Sequence, residues 1–158
     1  MKSPKTQVSK TPPHAKNLRK GRVSLENQIY LVTFVTLERK HRFKNLFCAR
    51  LMVSTLRNCR QVETLAFVIM PDHVHWMLQL QGNADLSSIV QLVKSVSAHA
   101  LNRQLERRGS IWQKGFHDHA LRREEDIRDV ARYIIANPIR AGLVKAVRDY
   151  SHWDAVWV

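Results

Sequence analysis

The chain has 158 residues, 44% of them apolar, which suits one domain with one sizeable core. Lys and Arg number 26 against 13 Asp and Glu, a net charge of +13. A balance this basic points to a polyanionic partner, because each neutralised phosphate releases counterions. No stretch of about 18 apolar residues exists, which excludes a helical membrane span, and the basic N-terminus lacks the apolar run of a secretory signal. A cytoplasmic protein without membrane attachment is therefore expected. Charge alone does not separate DNA from RNA, or an enzyme from a binding module.

Residues 1–22 hold Lys2, Lys5, Lys10, Lys16, Arg19, Lys20 and Arg22, no acidic residue, and three of the five prolines. They read as a flexible basic arm whose expected task is contact with phosphates. Residues 23–158 read as a single domain. Its first element, Ile29 to Thr36, is β-branched and aromatic and is expected to be a strand apolar on both faces. Residues 45–60 read as a helix with Leu46, Phe47, Leu51, Leu56 and Cys59 toward the core. Cys48 and Cys59 lie about three helical turns apart, too far for a disulfide, so both are read as reduced thiols.

Leu65 to Met70 and His73 to Leu80 read as two strands joined by a tight Pro71-Asp72 turn. Asp85 is placed to cap a long helix running to about Arg108, with Leu86, Ile89, Val90, Val93, Val96, Ala100, Leu101 and Leu105 as its apolar stripe and Gly109 at its end. Lys94, Arg103, Arg107 and Arg108 fall on its polar side. Ile111 to Leu121 reads as a fourth strand, and Glu124 to Ala136 as a third helix buried through Ile127, Val130, Ala131 and Ile134. The order is β-α-β-β-α-β-α. The first six elements match the ferredoxin-like arrangement, an α+β fold in which helices cover an antiparallel sheet.

Three groups of residues carry possible chemistry. His73 and His75 are two apart on a strand and share a face, opposite Val74, Trp76, Leu78 and Leu80. Two imidazoles on one face can hold a divalent metal; the alternative is a pair of partly buried histidines bonded to nearby backbone. His117 and His119 have the same spacing in more polar surroundings, and can complete that site, form another, or contact phosphate. Tyr133 and Asn137 are four apart at the end of the third helix, about 40° apart on one face and beside the apolar stripe. Tyr133 then has its hydroxyl free to reach outward. Asn137 can supply a ligand oxygen, or cap a short following helix with Pro138 at its first position and Gly142 at its end.

These runs resemble a known family. Phe67 to Leu78, with its His-hydrophobic-His core, is similar to the corresponding strand of the REP-associated tyrosine transposases, members of the single-tyrosine HUH superfamily. Arg132 to Val144 resembles their nucleophile helix, Ser110 to His119 their fourth strand, and Tyr150 to Trp157 their C-terminal tail. The match covers roughly residues 18–158, with the motifs in order. The resemblance implies that His73, His75 and Asn137 bind Mg²⁺ or Mn²⁺ and that Tyr133 attacks a DNA phosphate to give a 5′-phosphotyrosine. It implies a bacterial, nucleoid-associated enzyme acting as monomer or homodimer. Its substrate would be single-stranded DNA carrying a hairpin, the repeated extragenic palindrome. Arg19, Lys20 and Arg22 are then candidates for holding the segment beside the hairpin, and Lys94, Arg103 and Arg107 for its backbone. A non-covalent metal phosphodiesterase would use the histidines and tolerate loss of Tyr133. A silent nucleic-acid-binding module would need neither.

Overall fold

A computed structural model describes residues 24, 26–122 and 124–157. Five strands, β1 (Ile29–Val35), β2 (Val62–Ile69), β3 (His73–Leu80), β4 (His117–Leu121) and β5 (Trp153–Ala155), form one antiparallel sheet in the order β4-β1-β3-β2-β5. The first four are the expected ferredoxin-like sheet. The fifth lies in the stretch read from sequence only as a C-terminal tail, and it extends the sheet beyond β2 through Ala66, Phe67 and Val68.

Helices α1 (Leu46–Arg57) and α2 (Leu86–Gln104) cover one face. Their core holds Tyr30, Val32, Phe34, Val74, Trp76, Leu78 and Leu80 from the strands, with Met52, Leu56, Ile89, Val90 and Leu101 from the helices. Helix α3 (Glu124–Ile135) covers the other face, where Ala131, Ile134 and Ile135 meet Leu65, Val68, Met77 and Ala155. A short helix, α4 (Asn137–Arg140), follows at once. Burying each large side chain contributes about 1.5–3 kcal/mol. Two buried indoles also find partners: Trp76 Nε1–H donates to Thr64 Oγ1 and Trp112 Nε1–H to Ser97 Oγ, each at 3.0 Å.

Asp85 caps α2 as expected, accepting from Ser88 N–H at 2.9 Å. Three readings are corrected. Leu46 and Phe47 do not point to the core; they are 44% and 59% exposed, and Cys48, Ala49, Met52 and Leu56 form the buried stripe. Asn45 caps α1 by accepting from Phe47 and Cys48 N–H, and Phe43, from the preceding turn, fills the core beside the first turn instead. In α2, Val96 is exposed and Ser97 buried, and the helix ends at Gln104, before Glu106 takes φ +49°. Finally, Ile111 to Leu121 is not one strand. Ile111 and Trp112 are buried on the α1/α2 side, Trp112 makes a single bridge to Thr36, and the chain bends at Gly115 (φ +76°) before β4 begins. Lys94 Nζ holds that bend by donating to the carbonyls of Gln113 (2.6 Å) and Gly115 (2.7 Å).

The corrected α1 stripe has a direct test. Met52→Ala should lower the unfolding free energy by about 2–5 kcal/mol, whereas Phe47→Ala should change it by less than about 0.5 kcal/mol. Urea unfolding of the two variants measures both, and the reverse order would restore the stripe read from sequence.

Candidate active site on the α3 face

Strand β3 is paired on both sides, and its alternation puts Val74, Trp76 and Leu78 under α1 and α2 and His73 and His75 on the α3 face. His75 sits in a cross-strand row with Thr33 on β1 and Val68 on β2. Its Nδ1 and the Thr33 hydroxyl share a hydrogen bond of 2.8 Å. His73 begins the strand, where its Nδ1–H donates to Asp72 Oδ1 at 2.6 Å; Arg39 Nη1 donates to the other carboxylate oxygen at 3.1 Å. Both rings are thus held through Nδ1, and Nε2 is the nitrogen each offers a ligand. The ring centroids lie 4.9 Å apart, edge to face.

The Pro71-Asp72 turn that carries this pair is clamped from outside the hairpin. Thr36 N–H donates to Asp72 O (2.9 Å), Phe43 N–H to Pro71 O (3.0 Å), and Met70 N–H closes the turn onto His73 O (2.8 Å). Burial would raise the Asp72 pKa, but the hydrogen bond and charge of His73, reinforced by Arg39, hold it below the usual carboxylate range. Burial, the neighbouring His73 and the Arg140 charge push the His75 imidazole down to about 4. At neutral pH it is an uncharged nitrogen donor, the form a metal requires.

Tyr133 lies on the exposed side of α3 and is 63% exposed, as its position beside the buried stripe predicts. It borders an open cleft of about 1150 Å³ that runs along β4 past Leu31, Phe116, His119 and Asp129; neither His73 nor His75 lines that cleft. Asn137 opens α4, and the cap position is Ala136, which makes no side-chain bond. The capping role weighed for Asn137 is therefore not the one its side chain takes. Gly142, with φ +72°, follows the helix as expected. Asn137 Oδ1 accepts from Arg140 Nη2 at 2.8 Å, while its Nδ2 is buried with no hydrogen-bond partner. The Arg140 guanidinium also lies 3.8 Å over the Tyr133 ring and donates to the Tyr133 carbonyl.

His73 and His75 are together, and Arg140 links Tyr133, Asn137 and the field at His75. His117 and His119 face the same side, paired with Thr33 and Leu31, so His117 stands two strands from His75 with Thr33 between them. At about 4.8 Å per strand the two backbones stand near 10 Å apart. Among the described residues, no group of three or more His, Cys, Asp or Glu is placed to hold a metal. Lys94 and Arg103 lie on α2, across the sheet, and Arg107 lies just beyond its end. Lys94 holds the Gly115 bend, and Arg107 donates to Asn102 Oδ1 at 2.8 Å. Arg19, Lys20 and Arg22 lie outside the described residues. Sequence reasoning missed Thr33, Asp72 and Arg140. Asp72 was read only as a turn residue, although a carboxylate beside a candidate ligand histidine is itself a signal.

The family model of IS200-like transposases matches residues 24–137, which span both histidines, Tyr133 and Asn137. The chain belongs to the IS200-like transposase family. A candidate REP-associated tyrosine transposase of Haemophilus influenzae is 29% identical over 136 residues, 78% of this chain and 77% of that protein. The REP-associated tyrosine transposase of Escherichia coli is 37% identical over 93 residues, 58% of this chain and 53% of its own length. The solved structure of a REP-associated tyrosine transposase bound to a REP hairpin has a TM-score of 0.70 at 27% identity, covering 84% of this chain and 79% of that one. A candidate transposase from Deinococcus radiodurans shares the fold, with a TM-score of 0.53 at 21% identity over 73% of this chain and 95% of its own. No helix among the described residues is long and apolar enough to cross a membrane.

The His75 environment in this transposase predicts a pH-dependent stability. Its folded pKa of about 4 lies below the unfolded value near 6.5, so as pH falls the unfolded chain takes up the proton first. The stabilisation is complete above about pH 6.5 and is lost between there and about pH 4, by at most about 3 kcal/mol. Asp72, whose folded pKa is also depressed, keeps its stabilisation above about pH 5 and loses it only as the pH falls further. Urea unfolding at several pH values should show His75→Gln losing less stability than the wild type from pH 6.5 to 4. Equal slopes would mean that the ring titrates normally.

Proposed function

We propose that this transposase nicks and rejoins single-stranded DNA bearing a hairpin of the REP type, with Tyr133 as nucleophile and His73, His75 and Asn137 as the ligands of a divalent ion. The observation that carries the reading is the pair of Nδ1-anchored imidazoles on the face that also bears α3, whose tyrosine is exposed beside an amide. The donor set fits a metal: two nitrogens, one of them kept uncharged by burial, and an amide with an orphaned buried N–H, the sort of unsatisfied group that marks a functional position. Two nitrogen donors suit Mn²⁺ better than the harder Mg²⁺. Bound there, the ion would supply Lewis-acid stabilisation of the charge that builds on the scissile phosphate.

The chain's own residues do the rest. Asp72, an acceptor, fixes the tautomer of His73, and Asp72 and Thr33 fix the aim of the two rings. The Tyr133 oxygen bonds to phosphorus, the bond to the 3′ oxygen breaks, and a 5′-phosphotyrosine and a 3′-hydroxyl result. The covalent link conserves the phosphodiester's energy, so a second 3′-hydroxyl can reverse the step and join a new strand. A hydrolase using metal and water would have no need of the tyrosine. The similarity to a transposase solved with a REP hairpin favours the same class of DNA here, and the +13 charge fits a polyanionic substrate.

Incubation of the protein with a hairpin-bearing single-stranded oligonucleotide and Mn²⁺, followed by denaturing gels, tests the reading. Wild type should give a DNA–protein adduct that is absent in Tyr133→Phe and His73→Ala and after EDTA. Cleavage retained in Tyr133→Phe would point to a non-covalent phosphodiesterase, and binding without cleavage in the wild type to a silent binding module. The anchoring residues make a finer prediction: Asp72→Asn and Thr33→Val should each weaken Mn²⁺ binding about 10–100-fold, read by isothermal titration calorimetry.

A further inference from the structure

Arg140 touches both Tyr133 and Asn137, and it lies beyond the residues that the family model matches. Its guanidinium carbon lies over the Tyr133 ring, 3.8 Å from the centroid, and Nη2 reaches both the Tyr133 carbonyl and Asn137 Oδ1. Three contacts from one side chain fix the ring and the amide relative to each other across the junction of α3 and α4. A lysine cannot reproduce them, because only the planar fork stacks and donates along separate directions. Tyr133 is 63% exposed, so a partner over its ring limits where the side chain can go.

The Asn137 contact has a second consequence. Its amide oxygen is the atom a cation would use, and a guanidinium already claims it. The nitrogen end is buried without a partner, and turning the amide over would set N–H against a guanidinium. The oxygen is therefore held toward Arg140, and a divalent ion taking that oxygen meets a full positive charge at hydrogen-bond distance. Arg140 is also close enough for its charge to act on His75.

We propose that Arg140 is a positioning residue that holds the Tyr133 nucleophile in place and competes with the divalent cation for the Asn137 amide oxygen. This rests on the metal-site reading above. Arg140 weakens cation binding to the protein alone and speeds the covalent step. When DNA enters, its phosphate offers the guanidinium a better partner than a neutral amide, through charge-assisted and bidentate bonds. The exchange would release Asn137 to the cation, which ties cation uptake to the arrival of a strand.

The test uses full-length wild type, Arg140→Gln and Arg140→Lys, with far-ultraviolet circular dichroism to verify folding; the exposed position makes both variants benign to stability. Mn²⁺ binding to the protein without DNA is read by isothermal titration calorimetry. Adduct formation is read on the saturating hairpin oligonucleotide. Arg140→Gln should bind Mn²⁺ about ten-fold more tightly, the scale expected for removing one charge near a divalent ion in water. It should form adduct about 10–100-fold more slowly at saturating Mn²⁺ and saturating hairpin, where the lost phosphate contact no longer limits binding. Arg140→Lys, which keeps the charge and loses the fork, should bind Mn²⁺ like the wild type and still form adduct slowly. Equal Mn²⁺ affinity in wild type and Arg140→Gln would overturn the competition, and an undiminished adduct rate in both variants would overturn the positioning role. His75→Ala serves as the control for the site itself. If Mn²⁺ binding persists there unchanged, the metal-site reading fails, which is a different result from a failure at Arg140.

Discussion

The double pairing of β3 is the constraint on which the rest of the structure depends. With β1 on one side and β2 on the other, β3 has no free edge and a single register. Its residues must then divide strictly between the two faces. Val74, Trp76, Leu78 and Leu80 are completely buried beneath α1 and α2. A slip of one residue would exchange that apolar set with the histidines and lose the core, so the core itself holds His73 and His75 on the α3 face. The Trp76–Thr64 hydrogen bond and the clamped Pro71-Asp72 turn reinforce the same register from either end.

The electrostatics of the site follow from placing that strand inside a chain of net charge +13. Cationic surroundings and burial both oppose a proton on His75, and Arg140 adds to this directly. Asp72 works the other way on the adjacent ring, as a hydrogen-bond acceptor that fixes the His73 tautomer. The two histidines thus reach the same geometry, with Nδ1 engaged and Nε2 offered, through opposite kinds of partner: a charged carboxylate at the strand's mouth and a neutral hydroxyl inside the sheet. A second carboxylate in place of Thr33 would favour the imidazolium and spoil the inner donor.

Helix α3 divides its labour in the same way. Ala131, Ile134 and Ile135 bind it to the sheet, and the intervening Tyr133 is left at the surface where a polymeric substrate can reach it. A nucleophile of the kind proposed for Tyr133, which must become covalently attached to a long strand, cannot lie in a closed cavity. Rigidity comes instead from the packed stripe beneath it and from Arg140 above it. Membership of the IS200-like transposases places this arrangement within a chemistry of strand transfer.

Local periodicity made much of this legible. Alternation along β3 assigned the histidines to one face, Asp85 announced the start of α2, and the spacing in α3 separated Tyr133 from the buried stripe; all three stand in the structure. What failed was local pattern overruled by distant neighbours. Phe43 displaced Leu46 and Phe47 from the core, and the bend at Gly115 cut a long apparent strand in two. A three-residue β5 is too short to show any period of its own. The partners that complete the site were beyond any local pattern: Thr33 lies 42 residues before His75, and Arg140 reaches Tyr133 across the junction of two helices. The sequence by itself determined which faces are apolar and which residues stand on them, because period and capping are properties of neighbouring residues. Only the tertiary structure decided which side chains meet across strands and helix ends, because register and packing settle that at once over the whole chain.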